Sequence, residues 1–127
     1  MSPTVAKRRR AERAGRLAEG LGALLLRAKG YRILARNWRA SVGEIDIVAC
    51  RGRTLAFVEV KRRATMRDAA EAIGHRQTQR IRRAAEAFLA ANPKCANMHA
   101  RFDVMLIAPW RWPSHIASAW GEDWEEL

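Results

Sequence analysis

Three charged residues, Asp46, Glu59 and Lys61, stand in segments whose other residues are those of buried β-strands, "GEIDIVAC" and "TLAFVEVK". Charges in such places cost free energy unless something pairs with them. Side chains alternate faces along a strand, so Glu44 and Asp46 share a face of their strand, and Phe57, Glu59 and Lys61 share a face of theirs. Arg51-Gly52 between the segments suits a two-residue turn, because glycine accepts positive φ. That turn sets Cys50 opposite Arg53, Asp46 opposite Phe57 and Glu44 opposite Glu59, and it gathers Asp46, Glu59 and Lys61 on one side. Asp46 and Glu59 become diagonal neighbours with backbones roughly 7–8 Å apart. The gap suits a divalent cation with oxygen ligands on both sides, each about 2.0–2.1 Å from Mg²⁺.

Without a cation the clustered carboxylates repel one another and at least one takes up a proton. Lys61 is placed to orient a water or to stabilise charge building up on a phosphate. A cation there can bind a non-bridging oxygen, activate the water or steady the leaving oxygen. Glu44 is a candidate outer ligand, or a hydrogen-bond partner for Lys61. A bulge of one residue would throw Glu59 to the other face. The competing account of "EVK" is an ordinary cross-strand ion pair, which is common and weak. The company of "GEID", the hairpin register and the basic surroundings favour the metal site.

The elements that must position these groups follow from hydrophobic spacing. Ala14, Leu17, Ala18, Leu21, Leu24, Leu25 and Ala28 trace one buried stripe of a helix over Ala11–Lys29, which Gly30 stops. "YRILARNWR" reads as a strand whose alternation Leu34 breaks, and "EIDIVAC" and "TLAFVEVK" read as a hairpin. Asp68–Ala91 is helical, firmly so from His75 because Gly74 weakens its start. "RFDVMLIAP" is a nearly continuous apolar strand in a covered position, and "HIASAW" suits a short edge strand. The domain reading is a disordered basic arm over 1–10, one domain over 11–120 and an acidic tail over 121–127. The fold class is α/β, a mixed sheet flanked by helices.

Composition bears on partners. The 127 residues carry a net charge of +11, and a pI of about 11.3 is the usual footprint of a nucleic-acid binder. Lys7, Arg8, Arg9 and Arg10 lead a basic run into the first helix. Arg62, Arg63 and Arg67, continued by Arg76, Arg80, Arg82 and Arg83, form a second run beside the candidate metal site. Arginines so placed grip phosphates and make binding salt-dependent, with no sign of base reading. Trp38, close to Glu44 in sequence, is the tryptophan considered for stacking on bases. Trp110, Trp112, Trp120 and Trp124 are expected to pack the C-terminal segment. Cys50 and Cys95 make neither a disulfide framework nor a metal cluster, and no stretch approaches the ~20 apolar residues of a membrane span. The expected location is a reducing cytoplasm.

"GEIDIV", "FVEVKRR" and "RFDVMLI" together resemble the YraN-like family of small, uncharacterised bacterial proteins. That family is similar in turn to the PD-(D/E)xK nuclease superfamily, archaeal Holliday-junction resolvases among them. The likeness covers about Ala11 to Ile107. It implies a restriction-endonuclease-like sandwich with a core of helix, three-stranded meander, helix and strand. It also implies metal binding by Asp46, Glu59 and the Val60 carbonyl, with Lys61 as the catalytic lysine. Glu19 in "GRLAEGLGALLL" matches the acid of the first helix. Related sequences usually carry a lysine on the later helix near the position of Gln77, and other branches use glutamine; the resemblance makes Gln77 the candidate for that role, with Arg80 a second candidate for phosphate contact.

The resulting expectation is a Mg²⁺- or Mn²⁺-dependent endonuclease hydrolysing phosphodiester bonds of structured or branched nucleic acid, DNA ahead of RNA. The alternatives are a non-catalytic nucleic-acid-binding protein on a nuclease fold, or a subunit of a DNA- or RNA-processing complex. Resolvase-like relatives often act as dimers, so the resemblance allows for a homodimer.

Overall fold

A long helix, α1 (Pro3–Ala28), opens the chain and ends at Gly30, whose φ of +93° is the left-handed stop that suits glycine. The computed structural model describes residues 3–72 and 74–119. The basic run Lys7–Arg10, expected in a disordered arm, is helical and exposed as the early turns of α1. The tail over 121–127 lies outside the described residues.

The buried side of α1 is Ala18, Ala23 and Leu26, with Leu25 partly buried. Leu17, Leu21 and Leu24, expected inside, are exposed. The cause is close approach. A Cβ added at Gly22 would lie 3.4 Å from Met105 and 3.5 Å from Ile47, so only small residues fit where the helix axis meets the sheet.

Five strands follow the order β1 (Arg32–Ala40), β2 (Gly43–Arg51), β3 (Thr54–Arg62), β4 (His99–Ile107) and β5 (Ser114–Ile116). The first three form an antiparallel meander, β4 runs parallel to β3, and β5 closes the edge antiparallel to β4. Leu34 breaks the alternation of β1 because it is bulged: Ile33 pairs with Ala49 and Ala35 with Val48, leaving Leu34 extra. A parallel β3–β4 step needs a crossover, and helices α2 (Met66–Glu71) and α3 (His75–Ala91) supply it. The Thr65 hydroxyl accepts the Asp68 N–H at 3.1 Å and caps α2. Gly74, extended at φ −102°, separates α2 from α3.

The core has two main layers. Ile47, Ala49, Ala56, Val58, Met105 and Ile107 face α1. Ile45, Val48, Leu55, Phe57 and Phe102 face α3 through Ile81, Ala84, Ala85 and Phe88. The result is the expected mixed α/β sandwich, with the helix, three-stranded meander, helix, strand order of a restriction-endonuclease-like core. Among the described residues no helix is long and apolar enough to cross a membrane. Trp110 and Trp112, expected to pack the C-terminal segment, are fully exposed; Trp120 and Trp124 lie outside the described residues.

Candidate active site

The β2–β3 ladder runs from Arg51↔Thr54 to Ile47↔Val58, around a Gly52-Arg53 turn in which Gly52 takes φ +59°. The expected register is therefore corrected by two residues. Cys50 faces Leu55, and Val48 rather than Asp46 faces Phe57. An even shift keeps each side chain on its face. Asp46 and Glu59 are the next residues beyond the last pair, so the correction brings them closer than the diagonal spacing predicts.

At that point the strands part. Ile45 lies in the layer facing α3 and Ile47 in the layer facing α1, so β2 changes face across Asp46. Asn37 on the neighbouring strand has φ +52°. The Asp46 carboxylate falls into the gap, where its Oδ2 accepts the Val60 N–H at 2.8 Å.

Three acids meet there. The charge of Asp46 raises both Glu19 of α1 and Glu59 of β3, so the three act on one another. Carboxylates this close hold one another's pKa values up through like-charge repulsion. Burial, then the charge of Asp46, pushes Glu59 up to about 8 against the pull of Lys61. Burial, then Asp46, pushes Glu19 up to about 7 against the pull of Arg36. Burial also raises Asp46, offset in part by the Val60 N–H and by its other partners. Lys61 Nζ lies 3.1 Å from Glu59 Oε1, with both side chains largely buried.

Asp46 lines two clefts. One, of about 790 Å³, reaches Glu59 and Arg80 on the α3 side, walled by the β1–β2 turn around Gly43. The other, of about 650 Å³, reaches Glu19, Arg16, Arg39, Val60, Arg62 and Arg63 on the α1 side. Arginines line both clefts together with the acids.

Of the residues expected in the site, Asp46, Glu59, Lys61 and Glu19 come together. Val60 contributes its amide, as acceptor-directed donor to Asp46. Glu44 pairs with Arg39 at 3.2 Å in the open and lines the α3-side cleft with Asp46 and Glu59. Trp38 sits edge-on to Phe88 at 5.3 Å in the α3-side core rather than standing free for a base. Arg67 is exposed just past the second basic run's start, whereas Arg83 lines a separate surface hollow with Glu86. The side chains of Arg76 and Gln77 lie outside the described residues.

The donor set suits a hard divalent cation, since carboxylates are the ligands such ions select. Among the described residues no group of three or more His, Cys, Asp or Glu side chains is already arranged to hold one. Asp46 is instead engaged by the Val60 N–H and Glu59 by Lys61.

A second polar cluster was not singled out by sequence reasoning. Asp103 is fully buried in β4 and receives Arg101 through two bonds of 2.8 and 2.7 Å, His115 at 2.7 Å and the Ser118 N–H at 3.1 Å. Arg101 also bonds the Tyr31 hydroxyl, and Lys29 Nζ meets His115 Nδ1 at 2.8 Å. Burial pushes the Asp103 carboxyl up, but the bonds from His115, Arg101 and Ser118 outweigh it and hold the pKa below its ordinary value. The signal was present as one acid inside the apolar run "RFDVMLI". The cluster ties β5 and the end of α1 to β4.

Comparison with known proteins adds the family. The profile described as "Uncharacterised protein family UPF0102" matches residues 18–107. A UPF0102 protein of Paramagnetospirillum magneticum is 53% identical over 117 residues, covering 89% of this chain and 91% of its own length. Another from Methylorubrum extorquens is 51% identical over 114 residues, covering 90% and 89%. A third, from Rhodopseudomonas palustris, is 52% identical over 118 residues, covering 93% and 90%. The chain belongs to the UPF0102, or YraN-like, family.

Proposed function

We propose that this protein is a divalent-metal-dependent endonuclease acting on phosphodiester bonds of structured or branched nucleic acid, DNA ahead of RNA. The observation that carries the reading is the cluster of Glu19, Asp46 and Glu59, with Lys61 against the buried Glu59, at two arginine-lined clefts. Three neighbouring acids, Glu59 buried and the other two partly so, with two pKa values raised to about 7 and 8, form a site poised to exchange protons for a cation. Asp46, Glu59 and Glu19 would hold Mg²⁺ or Mn²⁺, which supplies charge neutralisation at the phosphate and activation of water. Lys61, held against Glu59, is aimed to stabilise charge developing on the phosphoryl oxygens. Arg62, Arg63 and Arg80 steer and hold the backbone.

A second reading is a nucleic-acid-binding protein without catalysis. It is favoured by the absence, among the described residues, of a ready three-ligand group. Incubating branched, single-stranded and duplex substrates with Mg²⁺ or Mn²⁺ separates the two. The nuclease reading expects cleavage by the wild type that is lost in Asp46→Ala. Binding by both proteins with metal-dependent cleavage by neither establishes the second reading.

A further inference from the structure

The loop between β4 and β5 reads "APWRWP", residues 108–113. Trp110 is 102% exposed and Trp112 89% exposed, and Arg111 between them is exposed as well. Two bare indoles, one three residues past β4 and one two residues before β5, are costly in water and suited to contact. Their display is held stiffly. Pro109 and Pro113 bracket the pair and restrict the residues before them. Trp110 itself adopts φ +63°, a conformation that a bulky residue keeps only where the surrounding chain imposes it.

Position gives the loop its meaning. Ile107 pairs with Arg62, and its carbonyl accepts the Arg63 N–H at 3.1 Å. The tryptophans therefore leave the sheet beside the two arginines that line the α1-side cleft with Asp46 and Glu19. A strand of phosphates lying on Arg62 and Arg63 would carry its bases toward indole faces, with the Arg111 cation between them. An indole stacks on a base only where that base is unpaired, because a duplex hides its base faces.

We propose that Trp110, Arg111 and Trp112 form a stacking platform for the bases of an unpaired nucleic-acid strand whose backbone continues onto Arg62 and Arg63. This rests on nucleic acid being the ligand of the neighbouring site, and it narrows the substrate to one with a single-stranded segment.

The test is fluorescence anisotropy in EDTA, so that no cleavage enters the result, with a labelled oligothymidylate and a blunt duplex of equal length. Replacing both indoles (W110A/W112A) weakens oligothymidylate binding roughly tenfold or more, as expected for lost base stacking, and leaves duplex binding within about twofold. The aromatic pair W110F/W112F retains most of the affinity and controls for folding. Unchanged oligothymidylate affinity in W110A/W112A, or an equal loss on duplex, overturns the platform. So does a loss confined to vesicles of phosphatidylglycerol, which would make the loop a membrane contact. Wild-type binding without metal-dependent cleavage removes the nuclease reading but not the platform; cleavage with unaltered affinity in W110A/W112A removes the platform alone.

Discussion

Asp46 Oδ2 accepts the Val60 N–H at 2.8 Å, one step past the last β2–β3 pair, Ile47↔Val58. The side chain thus satisfies a backbone donor of the parting strands while presenting its remaining capacity to Glu19 and Glu59. Asp46→Asn and Asp46→Ala should separate these duties. The amide oxygen of asparagine still accepts from Val60 and carries no charge to repel its neighbours, so Asp46→Asn raises the metal-free melting temperature at pH 8. Asp46→Ala leaves a part-buried donor without its acceptor, at a cost of about 1–3 kcal/mol. Urea unfolding at pH 8 reads both.

The acid cluster also sets a pH dependence. Glu59 and Glu19 have folded pKa values of about 8 and 7 against ordinary values of 4.5. The folded protein binds more protons than the unfolded chain between these limits, so stability falls as pH rises. The contribution is whole below about pH 4.5 and is lost as pH climbs through 7 to 8. Metal-free melting temperatures should decline over that window, and Glu59→Gln should flatten the decline. A cation that takes the place of the protons should stabilise more at pH 8.5 than at pH 6, measured by thermal shift with millimolar Mn²⁺.

Asp103 has the opposite sign. Its folded pKa lies below the ordinary 3.8, so its contribution is present above that value and lost as pH falls through the folded pKa. Removing it by Asp103→Ala strands Arg101 in a largely buried position. Breaking such a pair costs roughly 3–5 kcal/mol. Urea unfolding at pH 7 should show a loss of that size, larger than for Glu44→Ala, whose pair with Arg39 is exposed and contributes about 0–1 kcal/mol.

Gly43 begins β2 at φ +156°, and a Cβ there would sit 2.9 Å from the Arg80 carbonyl oxygen. Both belong to the wall of the α3-side cleft. Gly43→Ala should force that wall open at a cost of about 1–3 kcal/mol. It should weaken nucleic-acid binding through a displaced Arg80, read as a higher dissociation constant at fixed salt.

Much of this arrangement was legible in the chain because it rests on period-two alternation and on charges in apolar strands. Asp46, Glu59 and Lys61 declare themselves that way, and Leu34 marks the β1 bulge by spoiling a pattern. The leucines of α1 misled because amphipathic spacing ranks residues by hydrophobicity, whereas the fit at Gly22 selects by size. The turn was misplaced by one residue since Arg51-Gly52 and Gly52-Arg53 both offer a glycine. Asp103 was hidden because two of its partners, His115 and Ser118, come from beyond β4, and Tyr31, which Arg101 also bonds, lies far earlier in the chain. Trp110 and Trp112 were expected inside because large apolar residues usually are, and nothing local signals their exposure.

The central claim is that Glu19, Asp46 and Glu59 form one site in which a divalent cation replaces shared protons. Titration calorimetry of Mn²⁺ at pH 7, run in two buffers of different ionisation enthalpy, tests it directly, because metal binding to protonated ligands releases protons. The account predicts saturable binding to the wild type with protons released, and loss of that binding in Asp46→Asn. Absence of Mn²⁺ binding, or binding of equal strength in Asp46→Asn without proton release, would contradict it.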